Sequence, residues 1–472
     1  MSLTTVVTVF SLLVTAYFAL WNASQIVMGA LASLFLWRYQ RRRTRRNRAL
    51  AGRLASPPLV SIVVPARNEA LTIVESVQAL LALDYEAREI VIVNDGSSDD
   101  TLEVLRRRFN LLPAPLAFAQ PLQTAPVRGV YRSIDDSTLV VIDKESGGCK
   151  ADASNAGINV ASGALVLVID ADTVLEPDAL SRAALPFLED PVTVAVGGYV
   201  GIANGCRIEG GRVVDVAIPR SWLARFQIIE YMRSFLLFRI ACASRNAVTI
   251  ISGAFGLFRR DAAIEVGGFD RTAIGEDMDL TLRLQRFYRS RNQPSRIAFV
   301  PLPLCWTQAP EDLASLRSQR CRWRRGLLQV LWRHRRAIGN PRYGLVGLGV
   351  LPYTTLVEGF GPLLEVSGYV ITTVAALLGF LNWYHYRALL AVSILFGAAS
   401  TLLAVLLSDV ASRRYNRGRD LALLVAIALV ENVGYRQLNS WWGLVGTLQA
   451  LTGKGGWGEM RRRTFESGAA GS

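Results

Sequence analysis

Six apolar residues, Ala164 to Ile169, run without a break into Asp170-Ala171-Asp172-Thr173. An unbroken apolar run of this length suits a parallel strand buried on both faces. On an extended chain, residues two apart point the same way, so Asp170 and Asp172 can converge on one ligand. In open α/β sheets ligands bind beyond the carboxyl ends of the strands, which is where these acids fall. A hard divalent cation such as Mg²⁺ takes one or two protein carboxylates and completes its shell with substrate phosphates and water. The stretch therefore suggests a metal–diphosphate site. Surface loops also produce Asp-x-Asp, so the pair gains weight only from what surrounds it.

The apolar residues make up 51% of the 472 and are unevenly placed. They are continuous near Thr4–Trp37 and again after Tyr343, and patterned as in a soluble domain between. The first run is long enough to cross a bilayer, which needs roughly 20 apolar residues. With no basic start and a long apolar core, it does not read as a secretory signal. Arg38, Arg41, Arg42, Arg43, Arg45, Arg46 and Arg48 follow directly. That bias puts the N-terminus outside and the next domain in the cytoplasm. The net charge of +14 comes largely from arginines beside apolar segments, which fits membrane topology and acidic nucleotide substrates better than nucleic acid. The five cysteines are scattered, with no Cys-x-x-Cys pair, which argues against a zinc site or disulfide framework and fits a reducing compartment. The two histidines, His334 and His385, do not read as catalytic; His334 is expected to be solvated in an arginine-rich helix.

Between the apolar regions, strands at Leu59–Val64, Glu89–Val93 and Leu139–Ile142 alternate with helices at Asn68–Leu83 and Asp152–Ala161, the pattern of a doubly wound parallel sheet. Cys206–Ile218, with Gly210-Gly211 at its centre, reads as a hairpin. Ser221–Arg239 reads as a helix, Ile250–Arg259 as a strand, and Glu311–Arg336 as a basic amphipathic helix or helix pair suited to a membrane surface. Beyond Tyr343 come apolar segments at Leu345–Leu364, Val366–Leu381, Leu389–Leu407 and Leu421–Val430. If the basic loops around Arg413–Arg419 and Arg461–Arg463 share one side, Leu421–Asn439 must be a surface or re-entrant helix, or half of a tight pair with Trp441–Leu451. Glu358, Glu365, Glu431 and Arg436 sit in or beside these segments, either along a polar path or paired with one another in helix packing.

Several short signals then fall in one order: Pro65-Ala66-Arg67-Asn68-Glu69, Asn94-Asp95-Gly96-Ser97, Gly147-Gly148-Cys149-Lys150-Ala151, Asp170-Ala171-Asp172, Ser252-Gly253, Gly275-Glu276-Asp277 and Gln319-Arg320-Cys321-Arg322-Trp323. In this combination the chain resembles the membrane-embedded family 2 glycosyltransferases, the group of cellulose, hyaluronan and poly-N-acetylglucosamine synthases. The resemblance covers residues 58–330 by motif and the flanks by arrangement. Gly359–Tyr369 and Gly434-Tyr435-Arg436-Gln437 are similar to a bacterial poly-N-acetylglucosamine synthase-like branch.

The resemblance implies an α/β GT-A-type (Rossmann-like) cytoplasmic domain with α-helical transmembrane and interfacial segments. It divides the chain into a membrane helix (1–37), basic linker (38–58), transferase domain (59–305), interfacial helices (306–342), membrane or re-entrant bundle (343–451) and basic tail (452–472). Asp95, with Asn94 beside it, is expected to accept from the uracil imide or ribose. Lys150 would face the diphosphate, although Cys149 inserts one residue before it and an ordinary helix-start lysine is the alternative. Asp170 and Asp172 would bind Mg²⁺ or Mn²⁺, Asp170 also facing the nucleotide-sugar. Asp277 would be the general base, with Glu276 orienting it or raising its pKa; acids there also suit a helix start. Arg322 and Gln319 would hold the diphosphate. Trp323 would stack on an acceptor sugar or anchor at a membrane surface. Ser252 and Gly253 would approach the acceptor. The implied reaction moves a sugar, N-acetylglucosamine or a related hexose, with inversion from a UDP-sugar to a growing β-linked glycan that is exported through the bacterial inner membrane. A single-addition transferase acting on a lipid-linked acceptor, and a transporter or sensor with a degenerate nucleotide domain, are the alternatives. Expected partners are the UDP-sugar, a glycan or lipid-linked acceptor, membrane lipids, and accessory export or regulatory proteins, but not nucleic acid.

Overall fold

The structure, a computed structural model, describes residues 3–53, 57–114, 117–379, 383–415 and 417–453. The Arg461–Arg463 cluster lies outside the described residues. The described residues divide into two units, the first falling within 39–219 and 246–309, the second within 3–38, 220–245 and 310–453.

The first unit is built on a ten-stranded sheet. Its strands are β1 (Val60–Ala66), β2 (Arg88–Asp95), β3 (Leu111–Pro113), β4 (Val127–Ser133), β5 (Leu139–Lys144), β6 (Leu165–Val168), β7 (Val174–Leu175) and β8 (Thr193–Ile202). A separate hairpin of β9 (Arg207–Glu209) and β10 (Arg212–Asp215) follows, then β11 (Gly256–Arg259) and β12 (Arg296–Thr307). The order across the sheet is β3-β4-β5-β2-β1-β6-β11-β8-β12-β7. The centre, β5-β2-β1-β6, is parallel, as helix-linked crossovers require. β5 and β6 are buried at every position, and β1 and β2 at all but Pro65, Arg88 and Glu89, which explains their unbroken apolar runs.

Beyond that centre the fully parallel expectation fails. β11 runs antiparallel between β6 and β8, and β4 and β7 are antiparallel too. The strand expected over Ile250–Arg259 is ordered as a strand only from Gly256, because residues 252–255 form a tight turn in which Phe255 N–H donates to Ser252 O at 3.0 Å. The hairpin has its turn at Gly210-Gly211, both with positive φ (55° and 72°). Ile208 and Val213 pack against the buried cluster of Val174, Ala203 and Trp306.

The second unit is helical. It opens on a helix that is continuous from Leu3 through the basic run to Arg53, its residues from Tyr39 onward counting with the first unit. Ser221–Arg239 appears as a helix from Trp222 to Met232 that widens into a π-helical stretch, Arg233–Arg239. Leu313–Arg333 carries the Gln-x-x-Arg-Trp motif and packs through Leu316 and Cys321 on Tyr435 and Trp442. Its buried face also holds Gln319, Arg320 and Arg324, so its polar residues do not all face outward. His334, expected to be solvated, ends this helix in a buried position, 3% exposed.

Among the described residues, two helices are long and apolar enough to cross a membrane, Leu12–Arg42 and Val346–Leu377. Gly418–Val430 and Tyr435–Leu451 are bent by 56° at the break between them, the form of a broken span or re-entrant hairpin. Glu431 pairs with Arg233, and Glu365 with Arg436 at 3.1 Å. Of the four groups singled out in sequence, Glu365 and Arg436 thus pair with each other as the helix-packing reading has it, and Glu431 pairs instead with Arg233.

Candidate active site

The first unit gathers chemistry at the carboxyl ends of its central strands. Gly148, at φ +75°, turns the chain into the helix Lys150–Val160, with Cys149 as an extended N-cap residue. The extra cysteine thus lies outside the helix and leaves Lys150 as its first residue. Lys150 Nζ lies 2.5 Å from Asp170 Oδ1 and 2.7 Å from Gly253 O. Asp170 lies just beyond the end of β6, after the buried Ile169.

Gly253 joins the two halves of this cluster. Its carbonyl accepts from Lys150, and its N–H donates to Asp277 Oδ2 at 3.1 Å. Asp277 stands in the first turn of the helix Glu276–Ser290, where Glu276, Asp277 and Asp279 also suit the positive end of the helix dipole. Its Oδ1 accepts from Met278 N–H at 2.7 Å. Ser252 shapes the same turn, its Oγ accepting from Ala254 N–H at 3.4 Å.

The acids outnumber the one lysine among them, and their titration reflects it. Burial, and then the charge of Asp170, push the Asp172 carboxyl up to about 6. Burial and then Asp277 push Glu276 up to about 7. Burial works against the Lys150 charge, but Asp170 and Glu276 outweigh it and raise that pKa. A cluster so rich in anionic oxygen attracts a cation. Among the described residues no group of three or more His, Cys, Asp or Glu side chains forms a metal cage. Two hard carboxylates two residues apart, one of them resisting ionisation beside the other, instead fit a Mg²⁺-type ion that shares its shell with phosphate and water.

At the neighbouring strand ends, β2 and β5 pair in register, Asn94 with Asp143 and Asp95 with Lys144. Asp95 Oδ1 accepts from Lys144 Nζ at 2.6 Å and from Gly147 N–H at 3.0 Å. Asn94 Nδ2 donates to Asp143 Oδ1 at 2.7 Å, and its buried Oδ1 has no partner. Sequence reasoning missed Lys144, Asp143, Asp152 and Arg271. The signal was available for Lys144: an apolar strand ends in Asp143-Lys144 much as β2 ends in Asn94-Asp95.

Lys150, Asp170, Gly253 and Asp277 are therefore brought together, with Asp172 and Glu276 electrostatically coupled to them. Gln319, Arg322 and Trp323 belong to the helical unit. There Gln319 is buried, Trp323 is 43% exposed, and the Arg320 guanidinium lies 4.5 Å from the Trp323 ring centroid. Arg320, not assigned a role from sequence, makes a two-pronged pair with Glu230 at 2.8 Å.

The family model for glycosyl transferase family 2 matches residues 61–267. That for glycosyl transferase family group 2 matches residues 165–430, more than half of the chain. Poly-beta-1,6-N-acetyl-D-glucosamine synthase of Staphylococcus aureus is 32% identical over 275 residues, 58% of this chain and 56% of that protein. Its Staphylococcus epidermidis counterpart is 30% identical over 274 residues, with the same shares. The match thus spans little more than half the length of these relatives. A mannosyltransferase from Pyrobaculum calidifontis, solved with GDP-Man and Mn²⁺, shares the fold at a TM-score of 0.52 and 19% identity, over 90% of this chain and 99% of that one. The matched family models, and a GT-A-like sheet with acids at its strand ends, show that the chain belongs to the family 2 glycosyltransferases.

Proposed function

We propose that this enzyme is an inverting, metal-dependent hexosyltransferase that moves N-acetylglucosamine or a related sugar from a UDP-sugar to a growing β-linked polysaccharide. The observation that supports this reading is the Lys150–Gly253–Asp277 connection, in which the lysine given to the diphosphate and the carboxylate given the role of base contact the carbonyl and the N–H of one residue, Gly253. Asp95 and Asn94 receive the uracil and ribose. Lys150 exchanges part of its contact with Asp170 for the diphosphate. Asp170 and Asp172 would hold Mg²⁺ or Mn²⁺. When bound, that ion supplies charge withdrawal from the leaving diphosphate. Asp277 takes the proton of the acceptor hydroxyl as its oxygen attacks the anomeric carbon on the face opposite the diphosphate. The new C–O bond forms as the bond to the diphosphate breaks, so UDP leaves with the bonding pair and the configuration inverts. Glu276 keeps the base in place and, by like charge, favours proton uptake at Asp277.

The two long apolar helices support a membrane home, and the arginines after the first support a cytoplasmic transferase unit with the N-terminus outside; the reading takes that membrane as the bacterial inner membrane and couples synthesis to export. The Staphylococcus relatives support N-acetylglucosamine. The test is UDP release from a panel of UDP-sugars with Mg²⁺ or Mn²⁺ in purified full-length protein, followed by mass analysis of the product. UDP release with N-acetylglucosamine and a ladder of β-linked oligomers is expected. A single sugar on a lipid would replace the polymerase reading, and no turnover of any UDP-sugar would remove the donor assignment.

A further inference from the structure

Lys144 is fully buried at the end of β5, yet it is not among the residues that face the sugar or the diphosphate. Its ammonium has three close acceptors, all at 2.6 Å: Asp95 Oδ1, Asp152 Oδ1 and the carbonyl of Glu145. These equal the donor capacity of a lysine. Asp152 is equally buried, sits in the first turn of the Lys150–Val160 helix, and pairs through Oδ2 with Arg271 Nε at 2.7 Å. It also accepts from the N–H of Ala125. Arg271 belongs to the loop that leads into the helix bearing Asp277, and that loop is tied to the Lys150 helix where Asn155 exchanges two 2.8 Å hydrogen bonds with the backbone of Phe269. The row Asp95–Lys144–Asp152–Arg271 thus alternates in sign and runs from the nucleoside end of the site to the loop before the base.

A buried ion pair gains little stability over an apolar replacement, because desolvation offsets the attraction. It does fix geometry. Both the Lys144 and Gly147 contacts of Asp95 fall on Oδ1, so that oxygen is engaged and the carboxylate is held in one orientation. We infer that Lys144, braced by Asp152 and Arg271, is a positioning residue that presents Asp95 Oδ2 as an acceptor to the donor nucleobase and so sets base preference. A fixed acceptor favours a base with an imide N–H, as in uracil, over cytosine, whose corresponding ring nitrogen is itself an acceptor. The inference rests on the UDP-sugar reading above and goes beyond it by naming what orients the base-reading acid.

The experiment measures UDP and CDP binding to the full-length protein for wild type, Lys144→Met, Lys144→Met/Asp152→Asn and Arg271→Gln. The double variant removes one charge of each sign and keeps the buried row in balance where the single variant leaves two acids facing one arginine. UDP affinity is expected to fall ~10-fold or more in both Lys144 variants, with the UDP-over-CDP preference falling toward unity and KM for the donor rising more than kcat falls. Arg271→Gln, at the 36% exposed end, should move the preference the same way but less. A merely structural defect would lower the fraction of competent protein and leave the preference ratio intact. A folded double variant with wild-type preference overturns the inference. Wild-type protein that binds no uridine nucleotide overturns the UDP-sugar reading itself, a failure visible before any variant is made.

Discussion

The ammonium of Lys150 lies 2.5 Å from Asp170 Oδ1, so a helix-start lysine and a strand-end acid neutralise each other across the site. Lys150→Ala removes the one cation among Asp170, Asp172, Glu276 and Asp277 and leaves their repulsion uncompensated. A loss of ~10–100-fold in donor kcat/KM is expected, since hydrogen bonds to charged groups carry about 1.5–3 kcal/mol. Lys150→Arg should recover little, because the Nζ position is fixed on one side by Asp170 and on the other by Gly253 O. Steady-state kinetics on the preferred UDP-sugar checks both.

Asp277→Asn keeps an oxygen able to accept from Gly253 N–H but can no longer take a proton. Transfer should fall by ~10²–10⁴, the usual worth of general-base catalysis, while UDP binding changes by no more than a few-fold. Paired turnover and UDP-binding measurements decide it. Near-normal turnover in the variant would remove Asp277 as the base.

How far the sequence discloses this site follows from what each residue depends on. Asp170 and Asp172 are legible because strand periodicity and burial are local properties, and β6 is buried at every position. The hairpin at Gly210-Gly211 is legible for the same reason. Less local features are not. β11 is flanked by antiparallel partners because of a chain reversal at Ser252–Phe255, which apolar content alone does not reveal. Lys144 stands beyond the apolar run Leu139–Ile142 and draws no notice until β2 and β5 are paired in register, when it proves to be the counter-charge of Asp95. His334 reads as solvated from its arginine neighbours, whereas packing buries it. Charge composition describes a segment's average environment and says little about one side chain's face.

Acidity should act on function and on stability in opposite directions at Asp172. Its carboxyl titrates at about 6, against 3.8 when unperturbed. Above pH 6 it is ionised in the fold and can hold a cation, so metal-dependent UDP binding should weaken as pH falls through that value. For stability, the folded state binds this proton more tightly than the unfolded chain does. The charged form therefore opposes folding above pH 6, and the opposition is relieved as pH falls from about 6 toward 3.8. Asp172→Asn should accordingly raise the metal-free Tm at pH 8, by on the order of 1 kcal/mol in stability once solvent screening is allowed for, while abolishing the Mg²⁺-dependent part of UDP affinity. Thermal unfolding and UDP titration with and without Mg²⁺ test the two halves separately.

Trp306 offers a test of how the strand after the acids is held. Its indole N–H donates to Glu176 Oε1 at 2.6 Å, and both side chains are buried. Trp306 pairs with Val174 of β7, which begins two residues after Asp172. Phenylalanine can fill most of the ring volume but cannot donate. Trp306→Phe should therefore cost about 1.5–3 kcal/mol, the worth of a hydrogen bond to a charged group. Because β7 is only two residues long, the loss should be felt in the Asp170–Thr173 turn that precedes it, where Thr173 N–H donates to Asp170 O at 3.1 Å. The Mg²⁺ concentration for half-maximal activity should rise in this variant, with kcat at saturating Mg²⁺ falling less. A variant with lowered Tm but an unshifted Mg²⁺ requirement would show that β7 is anchored independently of the acid turn.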